Sequence, residues 1–397
     1  MLRSFPMRLV LLVYGLPLLA LSGCDFGPAE SLYDPDRQLD PDPVVHSLLP
    51  PERALAGVDE ITIIGEHFAA ETDRNVVFVG EQRAQILAAS PEQIVIKAPQ
   101  LPFTPTLSRP RATYDLRVAV IGAENFSTPL PYTLEAVSVD FADLKDFENA
   151  YGMTSDPEGN LYVSLFVNNV SDGIKKIAPD GTRSDYITTP FKWDDLALDD
   201  TGQLYAVRSV RAVFRFPAGG GTQETWAVID DRTVRLTALT LDEYGYVWTG
   251  GPNPNLYRIA PTGTVEAIPF EATISDLVYH DGWLYIAAIT EGHSVLYRME
   301  VNQAQWGEPQ LFFAFEDTFS ARAHALAITA DGALLVGSNA PDPLVLISPE
   351  GQAAPLFPGV VPPVLGALAW AQGTSIYARL DAANTEILLI NTLHERP

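Results

Sequence analysis

A single cysteine, Cys24, stands in a chain of 397 residues, so no internal disulfide can form and stability must come from burial. Basic residues are scarce. Twenty-five Lys and Arg face 50 Asp and Glu, and the formal charge of −25 disfavours nucleic acid and anionic lipid as partners. Histidine is rarer still, at six. There is no cysteine nucleophile, no serine nucleophile elbow and no phosphate-cradling loop, which removes three common routes to catalysis. The apolar stretch 9–21, preceded by Arg3 and Arg8, is too short and wrongly flanked for a stable membrane span and reads as a secretory signal.

That signal ends Leu21-Ser22-Gly23-Cys24, which resembles a bacterial lipobox. The resemblance implies cleavage before Cys24 and acylation of its thiol and new amino group. Residues 1–23 are then a lipoprotein leader, and the protein is exported and lipid-anchored to the bacterial cell envelope, with either membrane open. The membrane becomes a partner through Cys24. Residues 24–42 mix proline with like charges, as in Asp34-Pro35-Asp36 and Asp40-Pro41-Asp42, the composition of an extended tether.

Residues 43–136 carry short β-rich runs at 44–48, 60–64, 76–79, 84–88, 94–97, 114–120 and 132–134, bounded by turn residues. Ile61/Ile63 and Ile94/Ile96 alternate with period two, so each pair faces one side of a sheet. Seven such strands in this length suggest a sandwich. Ile61-Thr62-Ile63-Ile64-Gly65-Glu66-His67-Phe68, Val76-Val77-Phe78-Val79-Gly80 and Ile94-Val95-Ile96-Lys97-Ala98-Pro99 together resemble an IPT/TIG domain. The resemblance implies an immunoglobulin-like sandwich serving as spacer or binding module, without catalytic residues. His67 reads as a turn residue.

Residues 137–397 repeat. Gly159, Gly202, Gly245, Gly282, Gly332 and Gly373 recur 37 to 50 residues apart, each between two apolar runs. Three residues after the glycine comes Tyr162, Tyr205, Trp248 or Tyr285; Leu335 replaces it in the fifth repeat, and Tyr377 comes one residue late in the sixth. These bulky residues are expected to pack between neighbouring units. A third strand follows in each repeat, and Lys176, Arg215, Arg258 and Arg298 in it are expected to face outward. The first repeat, Asp156-Pro157-Glu158-Gly159-Asn160-Leu161-Tyr162-Val163, resembles an NHL repeat, implying four-stranded propeller blades. Six glycines give six blades. The last repeat lacks a fourth strand, which residues 137–141 could supply to close the ring. The fold class is therefore all-β, an immunoglobulin-like sandwich followed by a six-bladed β-propeller.

Equivalent positions at the start of the innermost strands are Tyr151, Asp194, Thr237, Ser275, His324 and Gly366, with Trp193, Asp195, Asp276 and Arg322 beside them. Tyr151, Trp193, Asp194, Ser275, Arg322 and His324 are the ligand-binding candidates. If chemistry occurs, His324 is the proton acceptor and Asp194 or Asp195 its electrostatic partner. Gluconolactonase-like propellers, a family this one resembles in blade number, hold a divalent ion through several carboxylates and amides. Here Asp194 alone suits that role, so neither metal nor cofactor is expected. The sequence favours a monomeric binding or scaffold protein whose propeller recognises a protein or glycan. The alternative is a metal-dependent, lactonase-like hydrolase or lyase acting in the channel.

Overall fold

The computed structural model describes residues 38–100, 111–381 and 385–397. The leader, Cys24 and the tether as far as residue 37 lie outside the described residues. The last tether residues are fastened to the sandwich, which corrects the extended-linker expectation at that end. Asp40 N donates to Gly122 O at 3.0 Å, and Arg74 Nη2 donates to the Asp40 carboxylate at 3.0 Å. The Asp42 carboxylate accepts the backbone and side-chain N–H groups of Asn125 at 2.8 and 2.9 Å.

The first unit is a two-sheet sandwich. One sheet orders Val44–Leu49, Glu60–Glu66, Gln93–Lys97 and Ile86–Ser90. The other orders Arg53–Leu55, Leu130–Glu135, Arg111–Val120, Asn75–Val79 and Gln82–Arg83. Ile61 pairs with Ile96 and Ile63 with Ile94, and all four are fully buried against Val77, Leu116 and Val118 of the opposite sheet. Each such side chain contributes about 1.5–3 kcal/mol of burial. His67 sits at φ +63° in a turn, with Nδ1 donating to Asp42 O at 2.9 Å.

Six four-stranded sheets follow. Blade 1 is Glu148–Ser155, Leu161–Val167, Val170–Ile177 and Arg183–Ile187. Blade 2 is Asp195–Leu198, Leu204–Val207, Ala212–Phe216 and Glu224–Val228. Blade 3 is Ala238–Leu241, Val247–Gly250, Asn255–Ile259 and Val265–Pro269. Blade 4 is Thr273–His280, Trp283–Thr290, His293–Glu300 and Gln310–Phe313. Blade 5 is Ala323–Ile328, Leu334–Ser338, Leu344–Ile347 and Ala353–Pro355. Blade 6 takes Leu365–Trp370, Ser375–Asp381 and Thr385–Asn391 from the end of the propeller and its outermost strand, Ser138–Asp140, from the beginning. Ser138 pairs with Ile390 and Asp140 with Leu388, so the ring closes where the sequence places the missing strand.

All six turn glycines have φ between +61° and +80°, the left-handed region that only glycine enters without strain. The bulky residue after each turn packs into the next blade. Tyr162 meets Trp193 and Leu196 of blade 2, Trp248 meets Leu277 and Leu284 of blade 4, and Tyr377 meets Met153 and Leu161 of blade 1.

The register also pairs Lys176, Arg215, Arg258 and Arg298 directly across from Tyr162, Tyr205, Trp248 and Tyr285. The outward-facing expectation fails at Arg258, which is 2% exposed. Its guanidinium lies 3.6 Å from the Tyr246 ring centre and 5.4 Å from those of Trp248 and Trp306, and Nη2 donates to Asn302 O and Gln303 O. Aromatic faces and carbonyls compensate the lost hydration of that cation.

The two units touch directly. Leu55 and Val58 of the sandwich pack against the cluster holding Phe357, Val361 and Leu365. A Cβ on Gly57 would stand 3.1 Å from Val360 Cγ2.

Candidate functional site in the propeller bore

The inner strands do not run straight to the axis. Their pairing slips between Ala150 and Met153, Ile274 and Asp276, Ala323 and Ala325, and Leu365 and Ala367. Tyr151, Ser275, His324 and Gly366 occupy these bulges, and a bulge re-aims a side chain that would otherwise alternate with its neighbours. The result is a bore of about 450 Å³ with Asp194, Thr237, Ser275, His324 and Gly366 around one end.

Deeper in, two carboxylates join neighbouring blades. Asp195 of blade 2 accepts its own strand's Leu196 N–H at 2.9 Å and the Leu239 N–H of blade 3 at 2.8 Å. Asp276 of blade 4 does the same with Leu277 at 2.8 Å and Leu326 of blade 5 at 2.6 Å. Both are half-buried because they face the bore, while protein encloses them on the other sides. Burial, and then the charge of Asp276, pushes Asp195 well above the ordinary carboxylate range. Burial raises Asp276 to about 7.

Blade 6 supplies the third link by a different route. Arg379, on its second strand, clasps Asp381 through Nε at 2.7 Å and Nη2 at 3.0 Å, and Nη1 donates to Tyr151 O of blade 1 at 2.6 Å. This pair enters the bore through the space that Gly366 leaves. A Cβ there would stand 2.0 Å from Asp381 Oδ2. Ionisable side chains thus tie blade 2 to 3, 4 to 5 and 6 to 1. At the opposite end of the bore, Arg396 Nη1 donates to Asp156 O at 2.9 Å, and Ala330 N donates to Glu395 O at 2.9 Å.

The sequence candidates divide. Asp194, Asp195, Ser275 and His324 line the bore. Tyr151 stands edge-on to Phe166 with Lys192 Nζ 4.8 Å over its ring, beside the bore rather than in its wall. Arg322 is exposed at the rim. Trp193 is fully buried between blades 1 and 2 against Phe214 and Phe216, which corrects its reading as a channel residue. Trp193 lies in the segment that enters blade 2, just before Asp195–Leu198, and its ring turns into the inter-blade core with Phe191, Phe214 and Phe216.

The expected partners of His324 also differ. Asp194 is held by Lys192 at 2.7 Å and by Ser209 Oγ at 2.7 Å, and Asp195 is engaged by backbone. The carboxylate acting on His324 is Asp381, which opposes burial and the charges of Arg322 and Arg379; burial dominates and lowers the imidazole below its usual range. Sequence reasoning missed Arg379 and Asp381 altogether. The one available signal was Gly366, a ring position without a side chain.

The donor set does not suit a divalent ion. No group of three or more His, Cys, Asp or Glu is placed to hold a metal among the described residues, and Asp195 and Asp276 already accept backbone hydrogen bonds on both oxygens.

Residues 43–135 match the model of the IPT/TIG domain. No curated protein matches the chain. Among solved structures, the fold is similar to a putative phosphatase from Bacteroides thetaiotaomicron, with TM-score 0.60 and 11% identity, covering 90% of this chain and 98% of that one. It is also similar to an auxiliary nutrient binding protein from Bacteroides thetaiotaomicron, with TM-score 0.57 and 12% identity over 92% of this chain and 99% of that one. A gluconolactonase from Xanthomonas campestris aligns with TM-score 0.52 and 15% identity over 64% of this chain and 89% of that one. At these identities the similarity is one of fold alone.

Proposed function

We propose that this is an exported, lipid-anchored binding protein of the cell envelope, in which the sandwich carries a propeller that recognises a glycan or a protein. One observation carries the reading: the carboxyl and guanidinium groups of the bore are engaged, three of them in holding the blades together. Asp195, Asp276 and Arg379 each link two blades, and Asp194 is neutralised by Lys192. What remains free at the mouth is hydrogen-bonding surface, the material of recognition. The propeller neighbours include auxiliary nutrient binding proteins, which agrees with this reading. Anchoring through Cys24 rests on the lipobox-like sequence.

The test is affinity capture from envelope extracts and binding to immobilised glycans, using the mature full-length chain. Reproducible recovery of a defined ligand supports the reading, and no retention in either format sinks it.

A second reading, a hydrolase or lyase acting in the bore, draws on Asp276. A carboxyl raised to about 7 is poised to exchange protons near neutral pH. Turnover of a lactone or sugar-derived substrate that disappears in Asp276→Asn would replace the binding reading with this one.

A further inference from the structure

Each inner strand turns one N–H group to the bore at an equivalent place: Met153, Leu196, Leu239, Leu277, Leu326 and Leu368, in blade order. Asp195 bridges Leu196 with Leu239, and Asp276 bridges Leu277 with Leu326. Leu368 and Met153 make the third pair, across the seam from blade 6 to blade 1. Their ladders leave both N–H groups free, because antiparallel pairs alternate between those that exchange hydrogen bonds and those that do not. Asp156 N donates to Asn160 O at 3.1 Å, so Thr154 exchanges with Tyr162, and Met153, opposite Val163, does not. Ala371 N donates to Ser375 O at 2.9 Å, which puts Leu368, opposite Ala378, in the same position. Neither N–H has an acceptor among the described residues. The place that Asp276 takes in blade 4, just after the slip in its inner strand, belongs in blade 6 to Ala367. A methyl group cannot bridge two donors.

We infer that this third seam binds the carboxylate of a small acidic sugar, which accepts the N–H groups of Leu368 and Met153 together; this rests on the glycan arm of the proposed function and names its ligand class. The protein itself shows, at its two other seams, that a carboxylate fits two donors so placed. Charge favours the same occupant. The Arg379 guanidinium donates to Tyr151 O at 2.6 Å and to Gly366 O at 3.3 Å, the residues two before Met153 and Leu368, so a cation stands over this seam. Its donors are engaged, and it contributes field rather than a further hydrogen bond. That field also acts on Asp195 and Asp276, which offsets the approach of a third carboxylate. Thr237 and Ser275 offer hydroxyls to the sugar ring at the mouth. A bore of about 450 Å³ lies within the range of small-molecule sites.

The experiment is calorimetry of the mature full-length protein with glucuronate and galacturonate, each against its neutral parent sugar, and with a short peptide whose carboxyl terminus is free or amidated. At least one uronate should bind at least tenfold more tightly than its parent. Ala367→Asp places the chain's own carboxylate at the seam, and should weaken uronate binding at least tenfold while the melting temperature holds or rises. Ala367→Ser, which adds no carboxylate, should retain binding. Uronate and parent bound alike, or Ala367→Asp binding like the wild type, overturns the inference. A preference confined to the free peptide terminus overturns the sugar as occupant and moves the seam to a protein tail. If Ala367→Asp fails to fold, a crystal structure of the wild type with the uronate decides, and a carboxylate away from the Leu368 and Met153 N–H groups overturns the site. No uronate bound by the wild type also overturns it, and capture on neutral glycans and from envelope extracts then decides separately whether the binding function stands.

Discussion

Asp276 Oδ2 accepts the backbone N–H of Leu326 at 2.6 Å, so a carboxylate of blade 4 closes onto the inner strand of blade 5. The contact has a pH signature. Burial raises this carboxyl to about 7, so the folded protein holds a proton that the unfolded chain releases near pH 4. Stability from this group is fully present below pH 4 and is lost as pH rises toward 7, levelling off above it. Thermal melts between pH 5 and 7.5 should fall more steeply for the wild type than for Asp276→Asn, whose amide does not titrate. Equal slopes would contradict the assignment.

Arg379→Ala should be more damaging than either carboxylate change. It removes the link to Tyr151 O and leaves Asp381 unpaired beside the bore. A loss of about 1–3 kcal/mol in urea unfolding is expected, most of it from the Tyr151 carbonyl that loses a charged donor, because Asp381 is exposed and stays solvated. Arg379→Lys should rescue little, because an ammonium cannot clasp Asp381 through two nitrogens and reach blade 1 at once. Near-complete rescue by lysine would show that charge alone matters.

Val139→Pro tests the closure. Val139 pairs with Leu389 in the strand that completes blade 6, and proline there removes a ladder donor and distorts the pairing, at a cost of about 1–3 kcal/mol. Limited proteolysis should then cut between 136 and 142 in the variant and not in the wild type. Identical digestion patterns would mean that this strand adds little.

Cys24→Ser tests the anchor. The variant should appear as a soluble or unprocessed precursor, whereas an unchanged membrane fraction would refute lipid attachment at that position.

The blades were legible because each repeat places a positive-φ glycine and a bulky inter-blade residue at fixed offsets, as at Gly202 and Tyr205. The bore was legible only for side chains on the inner strands or at their entry, such as Asp194, Ser275 and His324. Arg379 and Asp381 escaped notice because they arrive from the second strand of blade 6 through a gap that no spacing rule marks. Trp193 was misplaced because it precedes the strand, and adjacency to Asp194 says nothing about which way a side chain turns in that entering segment. Arg258 was misplaced because its aromatic cage, Tyr246 and Trp306 included, assembles from a turn and a distant loop.

The passage from sandwich to propeller is two residues long. Ala136 and Val137, both buried, lead from Leu130–Glu135 straight into Ser138–Asp140, the strand that seals the ring. Tension applied at the amino-terminal side, as when a protein fixed to a membrane is pulled by its cargo, therefore reaches the sealing strand without a slack segment to absorb it. The short ladder joining that strand to Thr385–Asn391, three facing residue pairs long, is where the toroid would first tear.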